Sequence, residues 1–313
     1  MEKNKLAIGH LSTCYHSNFI LMQDDDLKTQ LNIEIDWKMF RTGPEMVAAF
    51  KNNELDIGYM GLPPAIIGIE QGVRIKCVAG GHVEGTIMCA KKKYKDDIQL
   101  DNDLFKVLSQ FKRSAIGVPA KGSIHDVILN FFIEKYNLQD VIEVINYQEP
   151  ELIALDMKKN ILEGGVGTPC LAVFAATLLE SRLIIRADNL WDNNPSYGVF
   201  FHDDLIKKHP NYVLGFLTLH KKSATLIRQS PDVAAKMIAN TVEMATEEYI
   251  KQVLRISPKY CIAISNGYVK STMEFVDALH RLGYIKRNLN IEDIFDFRFI
   301  EKIHPENHHY LIN

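Results

Sequence analysis

The sequence predicts an α/β protein made of two similar lobes, each a mostly parallel β-sheet flanked by helices. Short apolar segments typical of strands alternate with segments of helical periodicity, which is the order expected for βαβ units. A chain of 313 residues can also bury two medium-sized cores. Finally, residues 43–63 and residues 149–169 have closely similar sequences, which indicates that one supersecondary unit occurs twice.

The repeat consists of identical residues that lie at one constant offset along the chain. The matched pairs are Pro44 and Pro150, Glu45 and Glu151, Ala48 and Ala154, Gly58 and Gly164, Gly61 and Gly167, and Pro63 and Pro169. Upstream, the tripeptide at 7–9 recurs at 115–117. So many matches in register indicate that an ancestral half was duplicated.

The first unit is predicted to contain four strands, at residues 5–9, 33–40, 55–60 and 74–79. Ser12 or Thr13 is expected to cap the helix that follows the first strand, because both side chains can accept a hydrogen bond from a first-turn amide. Thr42 or Gly43 is expected near the start of the next helix, with Pro44 in its first turn.

Residues 54–67 are the stretch around which we expect the first unit to be organised. Gly61 is expected to allow a turn that a β-carbon would obstruct, and Pro63 and Pro64 suit the first turn of a helix. A strand that enters a helix in this way leaves backbone N–H groups exposed at the helix start, where a small anion can bind.

The chain then passes to a second unit and returns. Residues 80–85 are predicted to be a flexible polar break, and 86–90 a strand that leaves the first lobe. Strands are expected at 114–119, 141–145 and 183–185, and a strand at 197–201 rejoins the first lobe. We therefore expect lobe 1 to comprise residues 1–88 and 197–313, and lobe 2 residues 89–196, with the helices after residue 203 packed on lobe 1.

The composition excludes several classes of protein. With 47% hydrophobic and 24% charged residues the chain is expected to fold, and its net charge of −3 argues against a nucleic-acid partner. The sequence holds five cysteines without metal-type spacing, so we expect mostly buried, free thiols and no disulfide framework. No apolar run approaches the roughly 20 residues of a membrane-spanning helix.

Ligands of open parallel sheets bind beyond the carboxyl ends of the strands, so two facing units predict a cleft between the lobes. The candidate ligand-binding residues lie in or near the turns at those ends: Ser12, Thr13, Cys14, Arg41, Gly61, Leu62, Pro63, His82, Lys121, Gly122, Ser123, His125, Thr168 and Pro169. Arg41 and Lys121 are the nearest cations, and no nucleophile–base pair is evident. The set predicts a small anionic or zwitterionic ligand, no catalytic residue, no bound metal and no cofactor.

The stretch Leu55-Asp-Ile-Gly-Tyr-Met-Gly-Leu-Pro-Pro-Ala65 resembles the signature of ABC-transporter substrate-binding proteins of the nitrate/sulfonate/taurine type. Gly117-Val-Pro-Ala-Lys-Gly-Ser123 resembles the second-lobe turn of that family, and the likeness extends over residues 5–200. The resemblance implies the two-lobed type II periplasmic-binding fold, closure about a two-strand hinge, and delivery of the ligand to an ABC permease in the membrane. We also expect the protein to be a monomer. The chain departs from the family at 167–169, where Trp-Glu-Pro is common and Gly-Thr-Pro stands here.

Three alternatives remain open at this point. A metal or metal-chelate site is one, because several candidate ligands fall on or near the expected cleft loops: His10, Cys14, His16, His82 and His125. The same fold also resembles thiamine-pyrimidine synthases and some menaquinone-pathway enzymes, for which His125 would be the residue to suspect, although the cysteine-rich motif of the former is not seen. A ligand-sensing domain would differ only in its partner.

The expected compartment depends on the start of the chain. Residues 1–9 lack the apolar core of a secretory signal. We expect a cytoplasmic protein if the chain is complete as written, and an extracytoplasmic one, in the periplasm or at the cell surface, if an export signal was trimmed.

Overall fold

The computed structural model describes residues 3–24, 26–242 and 245–311, and contains two five-stranded sheets. The first part of the chain forms β1 (Lys5–Leu11), α1 (Asn18–Leu21), α2 (Asp26–Leu31), β2 (Glu34–Phe40), α3 (Gly43–Lys51), β3 (Ile57–Met60), α4 (Leu62–Glu70) and β4 (Ile75–Val83).

The middle of the chain forms β5 (Ile87–Ala90), a 3-10 turn (Ile98–Leu100), α5 (Leu104–Ser109), β6 (Ser114–Pro119), α6 (Ile124–Lys135), β7 (Ile142–Tyr147), α7 (Glu151–Lys158), β8 (Gly164–Gly167), α8 (Pro169–Leu179), β9 (Arg182–Ile185) and α9 (Ala187–Leu190). The last part forms β10 (Pro195–His202), α10 (Asp203–Lys208), α11 (Pro210–Gln229), α12 (Pro231–Thr241), α13 (Glu247–Ile256), α14 (Asn266–Arg281), α15 (Ile291–Ile294) and α16 (Ile300–Ile303).

The two sheets have the same topology. The strand order is β2-β1-β3-β10-β4 in the first sheet and β7-β6-β8-β5-β9 in the second. In each sheet the fourth strand is antiparallel to both neighbours, and it is the strand that brings the chain from one sheet to the other. Each sheet is therefore mixed, with one antiparallel strand among strands that otherwise run the same way, as the expected mostly parallel sheets require.

The repeat in the sequence corresponds to a repeat in the structure. Residues 43–63 form α3, β3 and the start of α4, and residues 149–169 form α7, β8 and the start of α8. Both strands are fully buried and pair in parallel with the first strand of their own unit. The duplicated segments thus occupy equivalent places, which confirms the sequence interpretation. The lobe boundaries drawn from the sequence stay a prediction.

Two local predictions are wrong. Ser12 and Thr13 do not cap the first helix, because α1 begins only after Ser17, and Ser17 itself makes no side-chain capping bond. Gly61 does not need to be glycine for the turn, because its φ of −64° suits any residue and an added β-carbon would lie 3.7 Å from Ile124.

The predicted break at residues 80–85 is also wrong, because residues 80–83 are the buried end of β4. This end pairs with β10, and the segment that follows α13 supplies further partners: Gly80 N–H donates to the Ile262 carbonyl, and Val83 N–H to that of Lys259. The two glycines serve close packing, since a β-carbon at Gly81 would lie 2.1 Å from the Tyr197 ring.

The C-terminal helices extend the first sheet and also reach the second. Helix α11 packs on α1, α2 and α16, as predicted for helices added to lobe 1. In addition, α13 contacts α8, and α14 contacts both α4 and α6. Trp191, in the return crossover, stacks on Phe275 of α14 at 4.5 Å and lies edge-on to Phe131 of α6. No helix among the described residues is both long enough and apolar enough to cross a membrane.

Candidate ligand-binding cleft

A cavity of about 110 Å³ lies where the two units face one another. It is lined by residues that directly follow parallel strands of both sheets. After β1, β2 and β3 these are Ser12, Thr13, Arg41, Thr42 and Gly61, and after β6, β7 and β8 they are Ala120, Ser123, Pro150, Glu151 and Thr168. The cavity therefore occupies the position at which open α/β sheets bind ligands. Its volume is several times what one water molecule needs.

The starts of helices from both units point at this cavity. The N-cap residues of α3, α4, α6 and α8 all line it: Thr42, Gly61, Ser123 and Thr168. The first-turn amides of a helix have no acceptor within the helix, and the helix dipole makes this end positive. Two starts from each unit thus give the cavity a positive potential without requiring a charged side chain.

The starts differ in the donors they offer. Helix α4 begins with Leu62, Pro63 and Pro64, so two of its first three residues have no N–H. Residues 54–67, around which the first unit was expected to be organised, therefore contribute few backbone donors. Helix α6 begins with Ile124 and His125, which both carry an N–H. We therefore regard the second unit as the richer source of backbone donors.

The capping hydroxyls add donors of their own. Ser123 Oγ accepts a hydrogen bond from Asp126 N–H at 3.3 Å, and Thr42 Oγ1 accepts one from Glu45 N–H at 3.3 Å. A hydroxyl that accepts in this way still carries a hydrogen that it can donate. Both hydroxyls can thus donate to a ligand while they cap their helices.

Two histidines bring unpartnered ring nitrogens to the cavity. His16 and His125 are both buried and line it, and the Nδ1 atom of each has no hydrogen-bond partner among the described residues. Burial lowers the pKa of His125 to about 3, and burial, with smaller contributions from His82 and His10, holds the pKa of His16 well below its usual value. Both rings are therefore neutral near pH 7, and each offers one N–H donor and one lone pair. Because both residues line the cavity, either nitrogen can bond to a molecule or a water held there.

Few charges remain free near the cavity. Arg41 lines it, but its guanidinium is paired with Glu45 at 2.7 Å and is largely exposed. The only other charged lining residue among those described is Glu151, which is exposed at the start of α7. A ligand would thus be held mainly by dipoles, hydroxyls and imidazoles.

A second, larger chamber of about 870 Å³ adjoins the first and shares six of its lining residues, among them Ser12, Thr168 and Cys170. Its walls are mostly apolar, and its large side chains are Phe19, Met22, Met39, Phe174 and Tyr249. The cleft as a whole therefore has a small inner end, where the helix starts converge, and a wider outer end.

Two thiols meet at this boundary, one from each unit. Cys14 Sγ lies 2.9 Å from Cys170 Sγ, and Cys170 is the second residue of α8. The hydrogen bond between the two thiols lowers the pKa of Cys170 and raises that of Cys14. All five cysteines are free thiols, as the sequence predicted.

The structure brings together about half of the residues predicted for the site. Those that line the inner cavity are Ser12, Thr13, Arg41, Gly61, Ser123, His125 and Thr168, and Cys14 lines the outer chamber. Those that line neither are Leu62, Pro63, His82, Lys121, Gly122 and Pro169. The cavity is also lined by residues that were not predicted from the sequence, among them Tyr15, Ser196 and Cys170. Of these three, only Cys170 could have been predicted, because it lies at a helix start.

His82 and Lys121 illustrate the two reasons for this difference. His82 is fully buried in β4, where Nε2–H donates to the Ser257 carbonyl and Nδ1 accepts from Ser196 Oγ. Lys121 is exposed, and its Nζ lies 6.0 Å from the centre of the Tyr284 ring. The cleft histidines and Cys14 also do not form a metal cluster: the only group of three close ligand atoms found in the described ranges lies elsewhere.

A family model described as the NMT1-like family matches residues 1–242, which is more than half of the chain. The chain belongs to the NMT1-like family. This NMT1-like protein is 21% identical over 284 residues to the "Putative aliphatic sulfonates-binding protein" of Bacillus subtilis (strain 168), a match that covers 90% of this chain and 82% of that protein.

Solved structures share the fold of this NMT1-like protein at low sequence identity. The ligand-binding component of an ABC-type import system from Staphylococcus aureus, with zinc bound, has a TM-score of 0.80 at 14% identity. The match covers 97% of this chain and 100% of that chain. The periplasmic aliphatic sulphonate-binding protein SsuA from Escherichia coli has a TM-score of 0.78 at 15% identity, and the match covers 94% of this chain and 92% of that chain. The periplasmic nitrate-binding protein NrtA from Synechocystis PCC 6803 has a TM-score of 0.76 at 9% identity, and the match covers 97% of this chain and 89% of that chain. The predicted type II periplasmic-binding fold is confirmed.

Proposed function

We propose that this protein is the substrate-binding component of an ABC importer and that it captures a small anionic or zwitterionic molecule of the sulfonate or nitrate kind in the cleft. One observation carries the proposal: four helix starts, two from each unit, converge on a single cavity. Such starts stabilise a negative charge, and a solute bound between two units can be released when they separate.

The shape of the cleft supports a ligand with a compact anionic head. The inner cavity provides donors such as Ser123 Oγ–H and the α6 amides, while the adjoining apolar chamber can accept an aliphatic substituent. An alkanesulfonate or taurine combines these two parts, whereas nitrate would use the inner cavity alone. The aliphatic sulfonate-binding and nitrate-binding functions named for the relatives agree with this chemistry.

Closure of the two units would follow from contacts made to both at once. Ser12, Thr13 and Thr42 belong to the first unit, whereas Ser123 and Thr168 belong to the second. A ligand shifts an open–closed equilibrium only by the difference between its affinities for the two states. A ligand that bridges these groups therefore favours the closed form, and the closed form would be recognised by a membrane permease from the extracytoplasmic side.

The first test is a ligand screen by thermal shift, followed by calorimetry of the molecules that stabilise the protein. We expect an alkanesulfonate, taurine or nitrate to raise the melting temperature reversibly and to be recovered unchanged. Stabilisation by none of these anions, or conversion of a bound compound to a product, would contradict the carrier proposal and favour a sensor of other ligands or an enzyme that uses His125.

The second test is a matched pair of variants at helix caps. Ser123→Ala and Ser265→Ala each remove an N-cap hydroxyl. The Ser123 hydroxyl accepts a hydrogen bond from Asp126 N–H in α6, and the Ser265 hydroxyl accepts one from Tyr268 N–H in α14. Both should lower stability by about 1 kcal/mol. Only Ser123→Ala should also weaken ligand binding, by roughly tenfold or more, because a hydrogen bond to a charged group contributes about 1.5–3 kcal/mol. Calorimetry that gives equal affinities for the two variants would remove Ser123 from the site.

A further inference from the structure

A second cluster of ligating side chains lies outside the cleft, where the C-terminal segment returns to the first sheet. It consists of Cys261, which lies within the segment paired with the end of β4, and of His304 and His309, which follow α16. Cys261 and His304 are buried and His309 is half-buried. None of the three lines either chamber of the cleft. The cluster therefore needs an explanation that is separate from solute binding.

The three ligand atoms have the separations expected around a tetrahedral zinc ion. Cys261 Sγ lies 3.2 Å from His304 Nε2 and 3.5 Å from His309 Nδ1, and the two nitrogens are 3.3 Å apart. Zinc bonds of about 2.3 Å to sulfur and about 2.0–2.1 Å to nitrogen, at tetrahedral angles, place sulfur and nitrogen roughly 3.5 Å apart and two nitrogens roughly 3.3–3.4 Å apart. The three atoms thus form a triangle close to one face of such a tetrahedron.

A hydrogen bond behind His304 turns its lone pair towards the other two ligands. His304 Nδ1 lies 3.0 Å from the carbonyl oxygen of Glu306. A carbonyl oxygen can only accept, so Nδ1 carries the hydrogen and the neutral ring presents a bare Nε2 to Cys261 and His309. A ligating histidine almost always has such a partner on its second nitrogen, which fixes the tautomer and the ring orientation.

The backbone around the cluster is held in place by other contacts. The Tyr310 hydroxyl lies 2.7 Å from the carbonyl oxygens of both Cys261 and Ala263, and the Tyr310 side chain is buried. Cys261 N–H donates to the Gly81 carbonyl at the end of β4. The segment with the two histidines and the segment with the cysteine therefore meet in one fixed arrangement, which reduces the cost of ordering the ligands.

The charges near the cluster are mixed. Glu306 Oε1 lies 3.6 Å from His304 Nε2, and the same carboxylate is paired with Lys221. Lys221 and Arg228 also line the small cavity beside the cluster, so the site is not surrounded by acidic groups. A soft thiolate and two imidazoles, rather than carboxylates, would provide the affinity, and this ligand set favours zinc over magnesium or calcium.

We propose that Cys261, His304 and His309 bind a zinc ion, with water or a rotated Glu306 carboxylate as the fourth ligand, and that this ion fastens the C-terminal segment to the first sheet. The spacing from His304 to His309 falls within the range found in zinc sites. On binding, the Cys261 thiol loses its proton to solvent and the thiolate bonds to the ion. The ion is a structural fastener, so solute binding in the cleft does not depend on it.

The proposal is tested with purified full-length protein and with zinc and cobalt as probes. We expect about one zinc per chain to remain after desalting. Cobalt should produce the near-ultraviolet absorption of a thiolate–cobalt bond, which a cluster held only by hydrogen bonds cannot produce. Removal of the ion with a chelator should lower the melting temperature of the wild-type protein.

Three variants and one control separate the outcomes. Cys261→Ala should abolish the thiolate–cobalt absorption, and His304→Ala and His309→Ala should each weaken zinc binding roughly a hundredfold or more, since loss of an outer-shell partner alone costs 10–100-fold. His309→Ala alters a half-buried residue and serves if the buried variants do not fold. His280→Ala, on the exposed side of α14, should bind zinc as the wild type does. Zinc stoichiometry below one in ten chains, or equal zinc affinity in wild type and His309→Ala, would overturn the proposal.

Discussion

Burial determines the charge state of several histidines in this protein. His82 and His220 are fully buried, and burial lowers the pKa of each to about 4. Their ring nitrogens have internal partners: His82 lies between Ser196 and Ser257, and His220 Nε2 donates to the Gly80 carbonyl at 2.8 Å. His82 was proposed from the sequence as a ligand-binding residue, because a single chain does not reveal which histidines a sheet will cover.

The buried histidines predict an acid-sensitive fold. Because the folded-state pKa lies below the unfolded value of about 6.5, the unfolded chain binds more protons, and stability present above pH 6.5 is lost as the pH falls towards 4. At pH 5 each such histidine should cost about 2 kcal/mol relative to pH 7.5. His220→Gln should be less stable than the wild type at pH 7.5 but should lose about 2 kcal/mol less on acidification. Urea unfolding at both pH values measures the free energy of unfolding of each protein. If wild type and His220→Gln lose the same free energy between pH 7.5 and pH 5, the pKa argument is contradicted.

At the scale of single elements, the sequence predicted most strands and helix starts. The strand at 114–119 was predicted with its observed bounds, because turn residues flank an apolar run. Thr42 was one of two residues expected near the start of α3, and its side chain does accept the Glu45 amide. The end of β4 was missed because Gly80 and Gly81 resemble a loop locally, whereas their strand conformation depends on partners that arrive from residues 195–202 and 259–262.

Close packing of helix and strand within the repeated unit can be tested with two glycines. A β-carbon at Gly165 of β8 would lie 2.5 Å from the Ile153 side chain of α7, whereas one at Gly61 would meet nothing nearer than 3.7 Å. Gly165→Ala should therefore destabilise the protein by about 1–3 kcal/mol through overpacking, and Gly61→Ala should change stability little. Chemical denaturation of both variants gives the comparison, and equal stabilities would mean that α7 can move away from β8 at little cost.

At the scale of the whole molecule, the duplicated unit explains how much of the site could be predicted. Two copies of one βα arrangement bring equivalent turns to a shared cleft, so the residues after β1, β2, β3, β6 and β8 were found from the sequence. The sequence could not show that Arg41 pairs with Glu45 or that Lys121 turns towards Tyr284, because such contacts depend on side-chain placement. It also could not show that C-terminal helices contact both units.

The contact between Cys14 and Cys170 joins the two units across the cleft and predicts a redox-dependent link. Their sulfurs are 2.9 Å apart, and the lowered pKa of Cys170 favours the thiolate that attacks a disulfide reagent. With oxidised glutathione as the oxidant, the two thiols should lose two protons and two electrons to form one disulfide, while the reagent is reduced to two thiols.

This link should hold the units together and slow the exchange of any bound ligand. Intact-mass analysis should show a loss of two hydrogens in the wild type, and ligand dissociation should become slower and recover after reduction. Cys14→Ser should lose both effects, whereas Cys77→Ser, which alters a buried thiol in β4, should retain them. Because Cys14 follows β1 and Cys170 lies in α8, a disulfide can form only while the two units are close. The rate of its formation would therefore report how often the cleft closes, and a lasting glutathione adduct in place of the link would show that the sulfurs are normally apart.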